Sequence, residues 1–352
     1  MELKFIKADL KDLKPRVVWT ALQSLGRVPQ DERQEAIEIL APYLAHGESM
    51  FRYTALLSLI EQNAVDEHFD QIREMIEDQD PKIREVVVIA LAKSLKPGVT
   101  NLLIGLLSSP HSEVRYQAPI SLAERGEHKA AKPLLALLER ESDVEIRVNV
   151  IVALGDLKVE RAIDKLLAIA EDDIFEILRF EAACSAGRMG DRRAAPLLAA
   201  WADHFEYGLA ACTILDDLED AAVVPVLAKK FKKFFLSAER RLPMAATLAR
   251  LGDQRGKGFL IAKASSFSLE TRILALERLG RTGQAWAIPP LVAALSRKDP
   301  HCRDAALSSL EMLGLPEMEE PLREFLQKGS PTEDITREVN ALVASLSEKP
   351  GD

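Results

Sequence analysis

The chain has 352 residues, 47% hydrophobic, 29% charged and only 5% aromatic, with a net charge of −9 at pH 7. The apolar share supports a folded protein, and the acidic balance excludes a general nucleic-acid binder. Three cysteines, Cys184, Cys212 and Cys302, with no CxxC pair, make neither a disulfide framework nor a zinc ligand set.

At the N-terminus, MELKFIKADLKDLK is charged and lacks the apolar stretch of a signal peptide. No window approaches the roughly 20 apolar residues that span a bilayer. These features predict a cytoplasmic monomer with no transmembrane segment. Residues 1–15 read as a polar N-terminal cap.

From Arg16 onward the chain repeats itself. Arginines stand at 16, 52, 84, 115, 147, 179, 241, 272 and 303, with a weaker copy at Arg337, and most neighbours are 31 or 32 residues apart. A fixed period in this range marks a stack of similar units. The clearest copy is Asp143–Asp156, DVEIRVNVIVALGD. Its apolar positions recur at three and four residues, as one buried helical face requires.

An acidic or hydroxyl residue four before the arginine suits a helix N-cap, and Asp12, Asp80, Asp143, Ser237, Ser268 and Asp299 all fit. Gly126, Gly190, Gly252, Gly283 and Gly314 lie eleven residues past their arginines, where a left-handed residue ends a helix. A second helix then starts near Pro133, Pro196, Pro225, Pro290 or Pro321, since proline is tolerated in a first turn. One such pair cannot bury its own apolar face, but stacking on both neighbours can.

The expectation is an all-α, right-handed α-solenoid of about ten two-helix units over residues 1–346. A closing helix near Asp334–Leu346 and a frayed tail at 347–352 complete it.

The gap from Arg179 to Arg241 holds a degenerate copy at about 204–235. Aligning EAAC (Glu181–Cys184) with LAAC (Leu209–Cys212) puts Tyr207 where arginine belongs, and DDLED (Asp216–Asp220) replaces the usual turn. The next second helix is read as VPVLAKKFKKFF, with Lys229, Lys230, Lys232 and Lys233 around Phe231, Phe234 and Phe235. Lys230 falls where other copies have Leu138, Trp201, Leu295 or Leu326. From Lys229 to Lys263 there are ten basic and two acidic residues, whereas 61–80 holds eight acids and only Arg73. Such segregation can mark a partner site.

The pattern D-P-x-x-R-x-x-A-x-x-x-L-x-x-x-G followed by P-L-L-x-L-L resembles the HEAT repeat, and within it the short PBS-lyase HEAT-like type. The likeness covers nearly the whole chain. It implies that first helices lie on a convex side and second helices line a concave, partner-binding side. It also implies that Asp80, Arg84, Asp143, Arg147, Asp299 and Arg303 tie adjacent repeats together.

The function expected is a non-enzymatic scaffold holding a protein or peptide, acidic by charge complementarity, on the concave face near 229–263. Lys229, Lys230, Lys232, Lys233, Arg240 and Arg241 would supply charge, with Phe234 or Phe235 as apolar anchor and Tyr207 and Trp201 beside them. The alternatives are a nucleic-acid or phosphate ligand or an anionic membrane surface on the same block, or a helix with two or three buried phenylalanines whose lysines are solvated or pair with Asp216–Asp220. The acidic run 61–80 reads either as a site for a basic partner or as plain surface.

Catalysis has no local signature. The six histidines show no metal-binding spacing. Deoxyhypusine hydroxylase, also a HEAT-repeat protein, takes its iron ligands from His-Glu pairs. Here Phe180 precedes Glu181 where such a histidine would stand, and no His-Glu dipeptide occurs. A lyase or hydroxylase would rest on fold analogy alone, so no cofactor and no metal are expected.

Overall fold

The computed structural model describes residues 3–329 and 331–347, and all regular structure among them is helical. Of the tail expected to fray, only Ser347 is among the described residues. The chain divides into two compact units, residues 1–185 and 186–352. The boundary falls inside the helix Glu176–Arg188.

In the first unit, the short helix Leu3–Asp9 precedes a succession of helix pairs. The first helices are Pro15–Leu25, Ser49–Glu61, Pro81–Lys93, Ser112–Glu124 and Val144–Asp156. In the second unit they are Gly208–Leu218, Ala238–Arg250, Leu269–Gly280 and Pro300–Leu313, and Glu333–Ser347 closes the chain.

Seven of the repeat arginines are followed, seven residues on, by a fully buried leucine. These are Leu59, Leu91, Leu122 and Leu154 in the first unit and Leu248, Leu279 and Leu310 in the second. Burying each contributes roughly 2 kcal/mol, and no helix pair could hide that residue without its neighbour. Adjacent first helices approach closely through small residues. A Cβ on Gly155 would meet Ser185, one on Gly280 would meet the Ser309 backbone, and Ser309 Oγ donates to Leu276 O at 3.0 Å.

The expected caps are present at Asp80, Asp143, Ser237, Ser268 and Asp299, each accepting from a backbone N–H of the first turn. Asp12 differs. Pro15 begins its helix, Lys14 is the N-cap, and Asp12 Oδ1 accepts from Lys14 N outside the helix at 2.7 Å. The five glycines expected to end first helices all have positive φ, from 55° to 85°.

The inter-repeat ladder is built differently from the family expectation. The cap aspartates do not take the arginines. Instead Arg52 pairs with Asp78, Arg84 with Glu113, Arg115 with Glu141 and Arg147 with Asp173. Glu113 lies in the next first helix, and the other three acids lie in the loop that leads to it. Arg52, Arg84, Arg115 and Arg179 also donate to the carbonyl six residues upstream. Asp78, Glu141 and Asp173 lie two residues before the next helix's N-cap, and each accepts that cap residue's N–H.

The ladder and its neighbours absorb the acidic run 61–80. Glu61 meets Arg27, Asp66 meets Ser94, Glu67 meets Arg33, Glu77 meets His111, and Asp80 is a cap. Most of these acids therefore serve the fold.

Candidate interaction surface

The degenerate copy rests on an aromatic cluster. Tyr207, in the arginine's place, is the N-cap residue of Gly208–Leu218. Its ring stacks on His204 with centroids 4.6 Å apart and meets Trp201 edge-on at 5.6 Å. Trp201 is half-buried and packed by both partners, so it is not a free anchor. Aromatic packing here replaces the charge-assisted bonds of an arginine.

The second helix of the next repeat ends sooner than its sequence suggests. It runs Val224–Phe231, and residues 232–236 form the junction to the helix capped by Ser237. Leu236 turns inward and is buried, which stops the helix short of the lysine–phenylalanine run. Lys232, Lys233, Phe234 and Phe235 therefore lie at the junction between helix pairs and not on a second-helix face.

Asp203 organises the basic side chains. Lys230 Nζ and Lys233 Nζ both donate to its carboxylate, and Arg240 Nη2 donates to its carbonyl. Burial works against the ionised carboxylate, but the two lysines outweigh it and hold Asp203 below the usual carboxylate range. Lys230, in the core-leucine position, also reaches Ala200 O at 2.7 Å. Arg241 Nη2 donates to Lys233 O at 2.5 Å. Lys230 and Lys233 thus pair with Asp203 and not with Asp216–Asp220. Of that acidic stretch, Glu219 takes Arg250 and Asp220 caps a short turn.

Two expected charges remain outside this clasp. Lys229 and Lys232 are exposed and make no hydrogen bond or ion pair among the described residues, although Lys232 lies within electrostatic reach of Asp253. The phenylalanines separate by role. Phe231 packs on Phe259 at 5.1 Å, whereas Phe234 and Phe235 are 87% and 97% exposed and touch each other edge-on. Only Phe231 is packed, so the alternative of two or three buried phenylalanines does not hold.

Two further exposed phenylalanines escape a reading based on lysine density. Phe205 is 86% exposed and Phe267 fully so. Phe205 and Phe235 stand two residues before an N-cap, and Phe267 one before. In the first unit the place two before the cap holds Asp78, Ser109, Glu141 or Asp173, each accepting a backbone N–H. An apolar residue at a turn-capping position was the available signal. A cavity of about 250 Å³ opens beside Phe205, walled by Leu209, Pro243 and Leu274, with Arg240, Arg278 and one acid, Glu239, at its charged edge.

No group of three His, Cys, Asp or Glu side chains among the described residues could hold a metal ion. No described helix is long and apolar enough to cross a membrane.

The family model for HEAT repeats matches residues 69–144, 131–209 and 258–342, more than half of the chain. The chain belongs to the HEAT-repeat family. The matched regions stop at 209 and resume at 258, flanking the lysine junction. No curated protein matches the sequence.

Among solved structures, this HEAT-repeat chain is similar to yeast importin-beta (Kap95p), with a TM-score of 0.64 at 12% identity over 97% of this chain and 56% of that one. It is also similar to Kap121p bound to Ste12p, with a TM-score of 0.60 at 11% identity over 98% of this chain and 48% of that one. The chain therefore spans about half the length of these two proteins. The CpcE–CpcF complex of phycocyanin lyase from Nostoc matches with a TM-score of 0.46 at 23% identity, over 70% of this chain and 94% of that one. The importin likenesses establish an all-α HEAT solenoid and no more.

Proposed function

We propose that this HEAT-repeat protein is a non-enzymatic scaffold whose second unit binds an acidic protein or peptide segment at the helix-pair junction 229–241. The observation that carries this reading is the near-complete exposure of Phe234 and Phe235 beside the unclasped Lys229 and Lys232. Adjacent apolar side chains held outside the core, with cations around them, fit a partner that brings both apolar groups and carboxylates. HEAT solenoids commonly serve as protein-interaction scaffolds, which supports the class of function but names no partner. The basic residues at the junction oppose the chain's overall −9 charge and would attract acidic segments locally.

The test is a displayed library of acidic peptides selected on the full chain. The selected peptides are then measured on two double variants, Phe234→Ser/Phe235→Ser and Lys229→Glu/Lys232→Glu. Binding should fall at least about tenfold in both. Unchanged affinity in either refutes the junction as the site. A single-stranded oligonucleotide titrated at low and physiological salt is the control. Tight, steeply salt-dependent binding of that probe alone would favour nucleic acid instead.

A further inference from the structure

The ladder of the first unit is incomplete in the second. In the first unit Arg52, Arg84, Arg115 and Arg147 each receive a carboxylate from the start of the next first helix or the loop leading to it. In the second unit the corresponding arginines are Arg241, Arg272 and Arg303, and none makes an ion pair among the described residues. Arg241 and Arg303 keep only carbonyl acceptors, and their Nε–H groups have no partner among the described residues. Arg272 Nε reaches a thiol, Cys302 Sγ at 3.1 Å, a weak acceptor where the first unit supplies carboxylates. Two residues before the next cap, where Asp78, Glu141 and Asp173 stand in the first unit, the second unit has Ser266 after Arg241 and Arg297 after Arg272.

Three consecutive first helices of this unit therefore share one pattern at their N-terminal ends. Each is preceded by an exposed aromatic, Phe205, Phe235 or Phe267, and the last two carry a ladder arginine without a counter-ion. Beyond them, a cavity of about 340 Å³ is lined by Arg297, Lys298, Arg303, Phe325 and Thr332 with no acid among its described walls. Partly buried cations that lack carboxylates, repeated at the period of the fold and beside apolar tips, are complementary to one kind of ligand. Packed helices lie about 8–10 Å apart, and an extended chain advances about 3.3 Å per residue, so one repeat matches about three residues.

We propose that the second unit binds an extended acidic peptide in register with its repeats, about three residues per repeat. The peptide's carboxylates complete the ladder at Arg241, Arg272 and Arg303, and its apolar side chains pack on Phe205, Phe235 and Phe267. This rests on the acidic-partner reading and adds the register and the arginines that set it.

The experiment uses the full chain and fluorescein-labelled synthetic 12-residue peptides of Glu, Gly and Phe. Phe is spaced by three residues, by five, or replaced entirely by Gly, and binding is read by anisotropy. The three-residue spacing should bind at least about tenfold more tightly than the others, and Arg272→Gln and Phe267→Ser should each weaken it by about that factor. Phe267 is fully exposed, so its replacement should leave the melting temperature unchanged and keep the test interpretable if Arg272→Gln disturbs folding. Equal affinity for all spacings, or indifference to both substitutions, overturns the register. If the peptides bind through Phe234 and Phe235 yet ignore Arg272, Phe267 and spacing, the ladder proposal fails and the acidic-partner reading stands. If no acidic peptide binds, both fall.

Discussion

Arg147 donates from Nη2 to Oδ2 of Asp173 at 2.7 Å, tying its helix to the loop that enters the next repeat, and both side chains are largely withdrawn from solvent. The same pairing recurs at Arg52–Asp78, Arg84–Glu113 and Arg115–Glu141. Burial opposes ionisation of Asp78, Glu113, Glu141 and Asp173, but hydrogen bonds from arginine and backbone prevail and hold all four below their ordinary range. A carboxylate with a depressed pKa in the folded state stabilises fully above its unfolded value near about 4, and that contribution is lost as pH falls through the folded pKa. Asp78→Asn should cost about 1–3 kcal/mol at pH 7, with the difference from the parent shrinking toward zero by about pH 2. Thermal melts at the two pH values measure it, and a difference independent of pH would contradict the pairing.

Asp216 titrates in the opposite sense. Burial pushes its carboxyl up to about 6, with Asp217 adding to the effect and Arg250 and Arg278 only partly offsetting it. Its Oδ1 has no hydrogen-bond partner among the described residues. The folded state here holds the proton more tightly than the unfolded one, so this group makes stability fall as pH rises from about 4 to about 6. Asp216→Asn should therefore raise stability at pH 7 by about 1–3 kcal/mol and change little at pH 4. Denaturant titrations at both pH values decide it.

Gly280 tests the close approach of first helices. A Cβ there would stand 2.7 Å from Ser309 Cα and 2.9 Å from Ser309 O, a clash with backbone that cannot rotate away. Gly280→Ala should lower stability by about 1–3 kcal/mol, despite alanine's better helix propensity. A melting temperature at or above the parent's would show that the two helices can separate at little cost.

Phe234→Ser/Phe235→Ser should leave the melting temperature within about 1–2 °C of the parent, because neither ring is packed into the core. The same variant should be more soluble at high concentration, as exposed aromatic pairs promote self-association. Light scattering against concentration checks this. A marked loss of stability would mean that the rings pack inside the fold.

The caps and glycine stops were legible in the sequence because each is a local signal, set by backbone groups a few residues away. Asp12 misled because the proline three residues on starts the helix later than the arginine spacing implies. The ladder acids were not legible. They lie 26 or 29 residues past their arginines and alternate between Asp and Glu, so no short spacing marks them. The lysine–phenylalanine run reads as helix because Pro225 aligns it with the second helices of the other repeats. The inward turn at Leu236 and the cap at Ser237 override that alignment. Phe205 and Phe267 were missed because a lone aromatic in a loop resembles core until its exposure is known.

The unequal ladder also bears on how the chain comes apart. In the N-terminal unit four arginine pairs depend on ionised carboxylates, whereas in the C-terminal unit acid costs the ionised Asp203 clasp but the protonation of Asp216 offsets this by removing a buried charge. Acid should thus loosen the first half before the second, and amide exchange near pH 3 would find protection lost around Arg52–Asp173 while Ala238–Leu313 stays closed. An array that could have melted as one body is set up instead to yield a half-folded acid state, with the phenylalanine-bearing half the more durable.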